Sequence, residues 1–276
     1  MTNRGIEAPE DLIGFYEDLT RLQDELVQTV PRGEICISEE KMQDFSQNQL
    51  FWLQLLPFPL DAERFLSDLK QISDFVIRNR PQSQPEIAAI VKSIEAVAVS
   101  ELAQRALWLD HLYFAEMAEE RRLSPGLLVF LAENAIRPQL RAWTEGLVRY
   151  VSEEIWRQPH CPICGQAAII SRLRPGDGQR VMFCGHCFSE WTFRHMMCPH
   201  CGNSDHESIS IISVEDDRFN LIYGCNRCKG YLKTLNERQG GKAGHLFVEG
   251  ARTFYLDLLA AREGYQNPEL KRASLN

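Results

Sequence analysis

Eight of the nine cysteines stand in four C-x-x-C pairs: Cys161/Cys164, Cys184/Cys187, Cys198/Cys201 and Cys225/Cys228. Two residues between the cysteines let a tight turn point both sulfurs at one ion. Eight thiolates suffice for two tetrahedral four-thiolate sites, so all eight are candidate metal ligands. The first and third pairs read Cys161-Pro-Ile-Cys-Gly165 and Cys198-Pro-His-Cys-Gly202. Pro162 or Pro199 sets φ as the turn begins, and Gly165 or Gly202 can take the positive φ that ends it. N–H groups exposed in such a knuckle can hydrogen-bond to thiolate.

The spacings suggest two tandem ribbons. The first is C-x2-C-x19-C-x2-C, through Cys161, Cys164, Cys184 and Cys187; the second is C-x2-C-x23-C-x2-C, through Cys198, Cys201, Cys225 and Cys228. An internal repeat supports this pairing, since first knuckles lie 37 residues apart and second knuckles 41. Interleaved pairing, first pair with third and second with fourth, is the alternative. Strands are expected at Ala167–Leu173 and Arg180–Phe183 around a turn-rich R-P-G-D-G, and at Ser208–Val214 and Asn220–Tyr223 around E-D-D-R. Trp191 and Phe193, and Tyr231 and Leu232 in the second ribbon, are expected in small cores.

Structural disulfides would need an oxidising compartment. The N-terminus M-T-N-R-G-I-E-A-P-E-D lacks an apolar signal-peptide core, and no apolar run is long enough for a membrane span. A cytoplasmic, metal-binding protein is therefore the expectation. Redox-active dithiols fit the ribbon context less well. Four thiolates suit zinc and a rubredoxin-type iron equally, and leave either divalent site a net charge of about −2. Arg194, Arg227, Lys229 and Lys233 lie close enough in sequence to offset some of it. Ribbons of this kind draw folding energy from the ion, so residues 160–235 are expected to be disordered without metal.

The elements that must carry this cluster give an α+β fold class: an N-terminal all-helical bundle (1–157), two tandem rubredoxin- or zinc-ribbon-like metal-binding units (158–239), and a linker with a C-terminal helix packing back (240–276). Leu12, Tyr16, Leu19, Leu22 and Leu26 recur at helical spacing. Further helices are expected from Asp61, over 86–97, over 101–120, over 126–135 after Ser124-Pro125, and over 138–156. Trp52, Trp108, Tyr113, Phe114, Trp143 and Tyr150 are expected in the bundle core, and Cys36 as a small buried side chain. Past Gly240–Gly244 a helix is expected over about 249–263, with frayed residues after Pro268. His186 and His200 sit inside knuckles, but eight cysteines already satisfy two ions; His160, His195 and His206 read as polar loop residues.

Charge is uneven. Residues 1–157 carry 16 Lys+Arg and 26 Asp+Glu, whereas 158–276 carry 14 and 12. A nucleic-acid-binding ribbon usually presents a dense basic face, and an acidic half would repel phosphate, so nucleic acid is not the expected partner. No phosphate loop, dinucleotide fingerprint or Ser/His/Asp order occurs, and the chain is not read as an enzyme.

The knuckle region resembles the FdhE family, the formate dehydrogenase accessory proteins. The resemblance rests on Cys161-Pro-Ile-Cys-Gly, Phe183-Cys-Gly-His-Cys with Ser189-Glu-Trp191, and Cys198-Pro-His-Cys. It continues through the acidic Ser213–Arg218 stretch, Cys225-Asn-Arg-Cys with Gly230-Tyr-Leu-Lys233, and Arg262-Glu-Gly-Tyr-Gln-Asn-Pro268. It covers about 160–268; beyond Pro268 the tail departs from the family, and no role is carried there. The resemblance implies a cytoplasmic, non-enzymatic factor for maturation or activation of formate dehydrogenase. It implies binding to the catalytic molybdenum or tungsten subunit, which is exported through the twin-arginine route. It also implies rubredoxin-like iron on the eight cysteines. The alternatives from other classes are a rubredoxin-like electron-transfer or thiol-redox protein and, last, a nucleic-acid-binding zinc ribbon. Knuckles shared between chains could also link protomers into a homo-oligomer.

Overall fold

The computed structural model describes residues 8–94, 98–214 and 217–267. In chain order these form helices α1 (Glu10–Gln28), α2 (Glu39–Gln47), α3 (Trp52–Leu55), α4 (Ala62–Asn79), α5 (Gln84–Ile94), α6 (Val99–Trp108), α7 (His111–Arg121) and α8 (Pro125–Leu147). Strands β1 (Ala168–Leu173), β2 (Arg180–Cys184), β3 (Glu190–Phe193), β4 (Ile209–Ser213), β5 (Asn220–Cys225) and β6 (Tyr231–Asn236) follow. Helices α9 (Leu246–Arg252) and α10 (Phe254–Arg262) come last. The α+β class and the order of helices, ribbons and closing helices are as read from the sequence. Two compact units result. One gathers Asp18–Glu34 with Phe58–Glu145; the other gathers the described residues up to Glu17, Ile35–Pro57 and those from Gly146 onward.

The first unit is helical because its apolar residues recur at helical period. Phe65, Leu69, Ile72 and Val76 of α4 are buried, as are Ile87, Ile90 and Ile94 of α5. Asp61 caps α4 by accepting from Arg64 N at 2.9 Å. Asp68 is buried on the same helix; burial raises its carboxyl to about 6 despite its ion pair with Arg64 at 3.2 Å.

Several boundaries differ from the sequence reading. The helix expected over 101–120 breaks at Leu109, whose φ is 52°, because Asp110 starts a new helix by accepting from Tyr113 N at 3.1 Å. The two helices expected around Pro138 are one, α8, with Pro138 inside it. Leu131, Ala135 and Leu140 are buried on both sides of the proline, and that packing outweighs one missing hydrogen bond. Residues 151–156 are not helical. Of the helix expected over 86–97, the last three residues lie outside the described ones, as do residues after Pro268 and part of the acidic 213–218 stretch. Helices α2 and α3 were not legible: α2 buries only Phe45. Trp52, Phe114 and Trp143 are core residues, but Trp108 is 40% exposed and Cys36 is exposed, each against expectation. Trp108 is the last residue of α6, at the corner with α7, and Cys36 lies on the irregular stretch before α2.

The second unit is built on a single six-stranded sheet, ordered β3-β2-β1-β6-β5-β4. Within each ribbon the strands are antiparallel. The ribbons join through a parallel pairing of β1 with β6, in the register Ser171↔Thr234, Arg172↔Leu235 and Leu173↔Asn236. Ser171 and Thr234 are fully buried and share a hydrogen bond of 2.9 Å between their hydroxyls. Arg172 ties this seam by donating to Glu190 and to Glu237, each at 2.9 Å.

The closing helices cover the sheet. Leu256 and Ala260 of α10 pack with Ile222, Tyr231 and Tyr265, while Leu246 of α9 packs with Ile170, Phe183 and Leu235. The single helix expected over 249–263 is two. It breaks at the buried Thr253, whose hydroxyl donates back to the Glu249 carbonyl at 2.6 Å. Lys233, expected near the sulfurs, instead donates to Asp257 at 2.8 Å and to the Gly250 carbonyl at 2.7 Å.

Candidate metal centres

All four knuckles have the same backbone geometry. The first cysteine's N–H donates to the carbonyl five residues on: Cys161 to Gln166, Cys184 to Ser189, Cys198 to Asn203 and Cys225 to Gly230, at 2.8 to 3.0 Å. Its carbonyl accepts from the residue four on: Gly165, Phe188, Gly202 and Lys229, at 2.8 to 3.0 Å. Each of these closing residues has positive φ, 77°, 60°, 71° and 59° respectively. Glycine supplies that conformation in the first and third knuckles, as the sequence suggests; Phe188 and Lys229 adopt it against their intrinsic preference.

The first knuckle is also anchored from outside. Its carbonyls at Pro162 and Ile163 accept from Trp52 N at 3.0 Å and Leu53 N at 2.8 Å, the otherwise unpaired first N–H groups of α3.

The sulfurs gather as the tandem pairing requires. Cys161, Cys164, Cys184 and Cys187 form one group and Cys198, Cys201, Cys225 and Cys228 the other, with all Sγ atoms of a group within 4.8 Å of one another. Separations include 3.4 Å for Cys161–Cys187, 3.5 Å for Cys164–Cys184, 3.7 Å for Cys198–Cys228 and 3.8 Å for Cys201–Cys225. A tetrahedral ion with metal–sulfur bonds of about 2.3 Å sets its sulfurs about 3.8 Å apart, so both donor sets fit such an ion. The same separations are far beyond a disulfide bond, and all nine cysteines are free thiols.

Donors converge on the sulfurs. In the first group, Ile163 N reaches Cys161 Sγ at 3.4 Å, and the buried Ser189 hydroxyl lies 3.0 Å from Cys161 Sγ while its oxygen accepts from Cys187 Sγ at 3.2 Å. In the second, His200 N lies 3.4 Å from Cys198 Sγ, Gly230 N 3.3 Å from Cys228 Sγ, and Asn203 Nδ2 3.7 Å from Cys225 Sγ. Ser189 and Asn203 were not singled out in the sequence; each sits two residues past a knuckle's second cysteine, and that spacing was the available signal.

The groups differ in exposure. Every cysteine of the first is buried, whereas Cys201 and Cys228 of the second are exposed. Burial pushes the thiols of Cys164, Cys184 and Cys198 up, because a lone thiolate there would be poorly solvated. At Cys225 burial also opposes ionisation, but N–H donors from Cys228 and Arg227, together with the Cys201 and Cys198 thiols, outweigh it and bring the thiol down to about 7. A cation among the sulfurs would stabilise the thiolate form in both groups.

Among the described residues no histidine joins either group. The His200 ring bonds the Tyr231 carbonyl through Nε2 at 2.9 Å, and His195 Nε2 meets the Tyr223 hydroxyl at 2.8 Å. Burial, with Arg180 and Arg238 nearby, pushes His195 down to about 4. Trp191, Phe193, Tyr231 and Leu232 are buried in the sheet as expected.

Fold and site together define a class of protein: helices and a doubled knuckle sheet that gathers two four-cysteine groups able to hold a metal ion. No family model matches the chain. It is similar to proteins named FdhE homolog: 26% identical over 149 residues to that of Aquifex aeolicus, covering 53% of this chain and 52% of the relative. To the Haemophilus ducreyi protein it is 27% identical over 235 residues, covering 83% and 72%. To the Pseudomonas aeruginosa protein it is 27% identical over 190 residues, covering 66% and 59%. The chain thus spans about half to seven tenths of the length of these curated relatives. The crystal structure of the FdhE protein from Pseudomonas aeruginosa shares its fold, with a TM-score of 0.64 and 21% identity over 94% of this chain and 91% of that one. The resemblance carried by the knuckles therefore extends to sequence similarity beyond them and to the fold.

Proposed function

We propose that this chain is a formate dehydrogenase accessory protein: a cytoplasmic, non-enzymatic factor that binds the catalytic subunit during its maturation through a metal-stabilised double ribbon. The observation that carries this reading is the pair of four-sulfur groups held by four matching knuckles in one sheet, in a chain similar to FdhE proteins. In this reading Cys161, Cys164, Cys184 and Cys187 hold one ion and Cys198, Cys201, Cys225 and Cys228 another, either iron or zinc. The ions make the knuckle loops rigid, and rigid exposed loops are good docking surfaces because little entropy is lost on binding. Residues 158–239 would be the metal-binding domain, with the helices as a second recognition surface. Among the described residues no helix is long and apolar enough to cross a membrane.

A second reading, electron or thiol exchange, is favoured by one observation, the exposure of Cys201 and Cys228. A metal or thiolate reachable from solvent can exchange electrons with a docked partner.

The test is affinity capture from the protein's own host under low oxygen, beside a Cys225→Ser/Cys228→Ser variant. Co-purification of a formate dehydrogenase catalytic subunit with the wild type and not the variant is the expected result. Its absence from both removes the accessory reading and moves electron exchange to the front.

A further inference from the structure

Arg180 belongs to β2 of the first ribbon, yet its side chain ends against the second. It is 1% exposed. Nη1 reaches the Met197 carbonyl, next to Cys198, at 3.5 Å. The guanidinium lies 4.3 Å over the ring of Tyr223, two residues before Cys225 on β5. Its Nε and Nη2 atoms are buried with no acceptor. No carboxylate of the described residues pairs with it; the acidic groups close enough to act on it are the Tyr223 phenol and the Cys198 thiol. Tyr223 is no counter-ion, because burial pushes its phenol up and its hydroxyl is engaged by His195.

A buried cation without an anion is strongly disfavoured, and folds that keep one place a compensating charge nearby. Four thiolates around a divalent ion leave a net charge of about −2 on the centre. Here that centre is the second one, and the two knuckle segments Arg180 touches, Met197–Cys198 and Tyr223–Cys225, each supply it a sulfur. The first centre has a different device, the neutral Ser189 hydroxyl between two of its sulfurs.

We infer that Arg180 is the internal counter-charge of the second four-cysteine centre, lent by the first ribbon across the sheet, and that it sets the electronic properties of that centre alone. The inference rests on reading the eight cysteines as metal ligands. Its consequence is clearest with iron. A four-thiolate centre holds about −2 with ferrous ion and −1 with ferric, the electron residing on the metal. A fixed cation nearby favours the more negative, reduced form.

The experiment loads the full chain with iron and follows the sulfur-to-iron absorption of both centres through a mediated titration between dithionite and ferricyanide. Cys228→Ser identifies the signal of the second centre. Arg180→Met and Arg180→Gln are expected to lower the midpoint potential of that signal by about 60 mV, a tenfold change in a one-electron equilibrium constant. The first centre's signal should stay in place, and Arg180→Lys, which keeps the charge, should fall close to wild type. Equal shifts in Lys, Gln and Met variants would make shape, not charge, the cause and overturn the inference. So would an unmoved second-centre potential in all three. If Met disturbs the fold, judged by a shift in the first centre's signal, Arg180→Gln, which keeps a polar side chain without the charge, is set against Arg180→Lys: a Gln potential below that of Lys is expected, and equal potentials in the two overturn the inference. Wild-type protein that takes up neither iron nor zinc in either group would instead overturn the metal reading beneath it.

Discussion

A knuckle turns on single backbone torsions, and the two glycines that close knuckles make this measurable. Gly165 and Gly202 have nearly the same φ, 77° and 71°, but different surroundings. A Cβ at Gly165 would lie 2.5 Å from the Phe51 ring, whereas at Gly202 its nearest neighbour is Met197 Cε at 3.8 Å. Gly202→Ala therefore meets only the left-handed backbone penalty and should cost about 1 kcal/mol. Gly165→Ala adds overpacking against a ring and should cost about 3 kcal/mol in urea unfolding of the metal-loaded protein. Equal losses would mean that Phe51 moves aside freely. Phe188 and Lys229 show that the same torsion is reached without glycine where the Cys184 and Cys225 carbonyls hold the turn. This is why the C-P-x-C-G signature singles out only two of the four closing residues in the sequence, although all four cysteine pairs are visible.

At the scale of elements, the decisive feature is the parallel seam between β1 and β6. It turns two hairpin-based ribbons into one sheet. The seam contains a buried hydroxyl pair, Ser171 with Thr234, isolated from solvent. Ser171→Ala takes the Ser171 hydroxyl from Thr234 and should cost about 1–2 kcal/mol; Thr234→Ala should cost somewhat less, about 1 kcal/mol, because Ser171 Oγ still reaches the Lys233 carbonyl at 3.5 Å. The double variant should cost less than the two losses together by about 1 kcal/mol. Simple additivity in a double-mutant cycle would show that the pair contributes nothing to the seam. Hairpins β1–β2 and β4–β5 were legible because strand patterning and turn residues are local signals. The seam joins residues 63 apart, and no local pattern announces it. The boundary missed at Pro138 has the same origin, since burial around the proline outweighs the local preference, whereas the cap at Asp110 is a local signal passed over in an otherwise continuous helical pattern.

For the whole molecule, the question is what the ions hold together. The ribbon cores are small, and metal binding to such sites supplies about 10–16 kcal/mol of apparent folding energy. Stripping metal with a chelator should therefore abolish hydrogen-exchange protection across residues 160–235, while α4 and α8, which have their own apolar cores, keep theirs. Unchanged protection of β1, β2, β5 and β6 in metal-free protein would show that the sheet stands without ions. Because β1 and β6 pair directly, loss of order is expected in both ribbons together. By itself the sequence determined the four knuckles, the tandem spacing, the hairpins and the helical character of the first half. These depend on residues a few positions apart, where turn chemistry and periodicity act. Only the tertiary structure decided that the sulfurs group in tandem, that the ribbons fuse, that Cys201 and Cys228 face outward, and that Arg180 reaches the second centre. Those outcomes come from packing between segments distant in the chain, whose energies no local pattern contains.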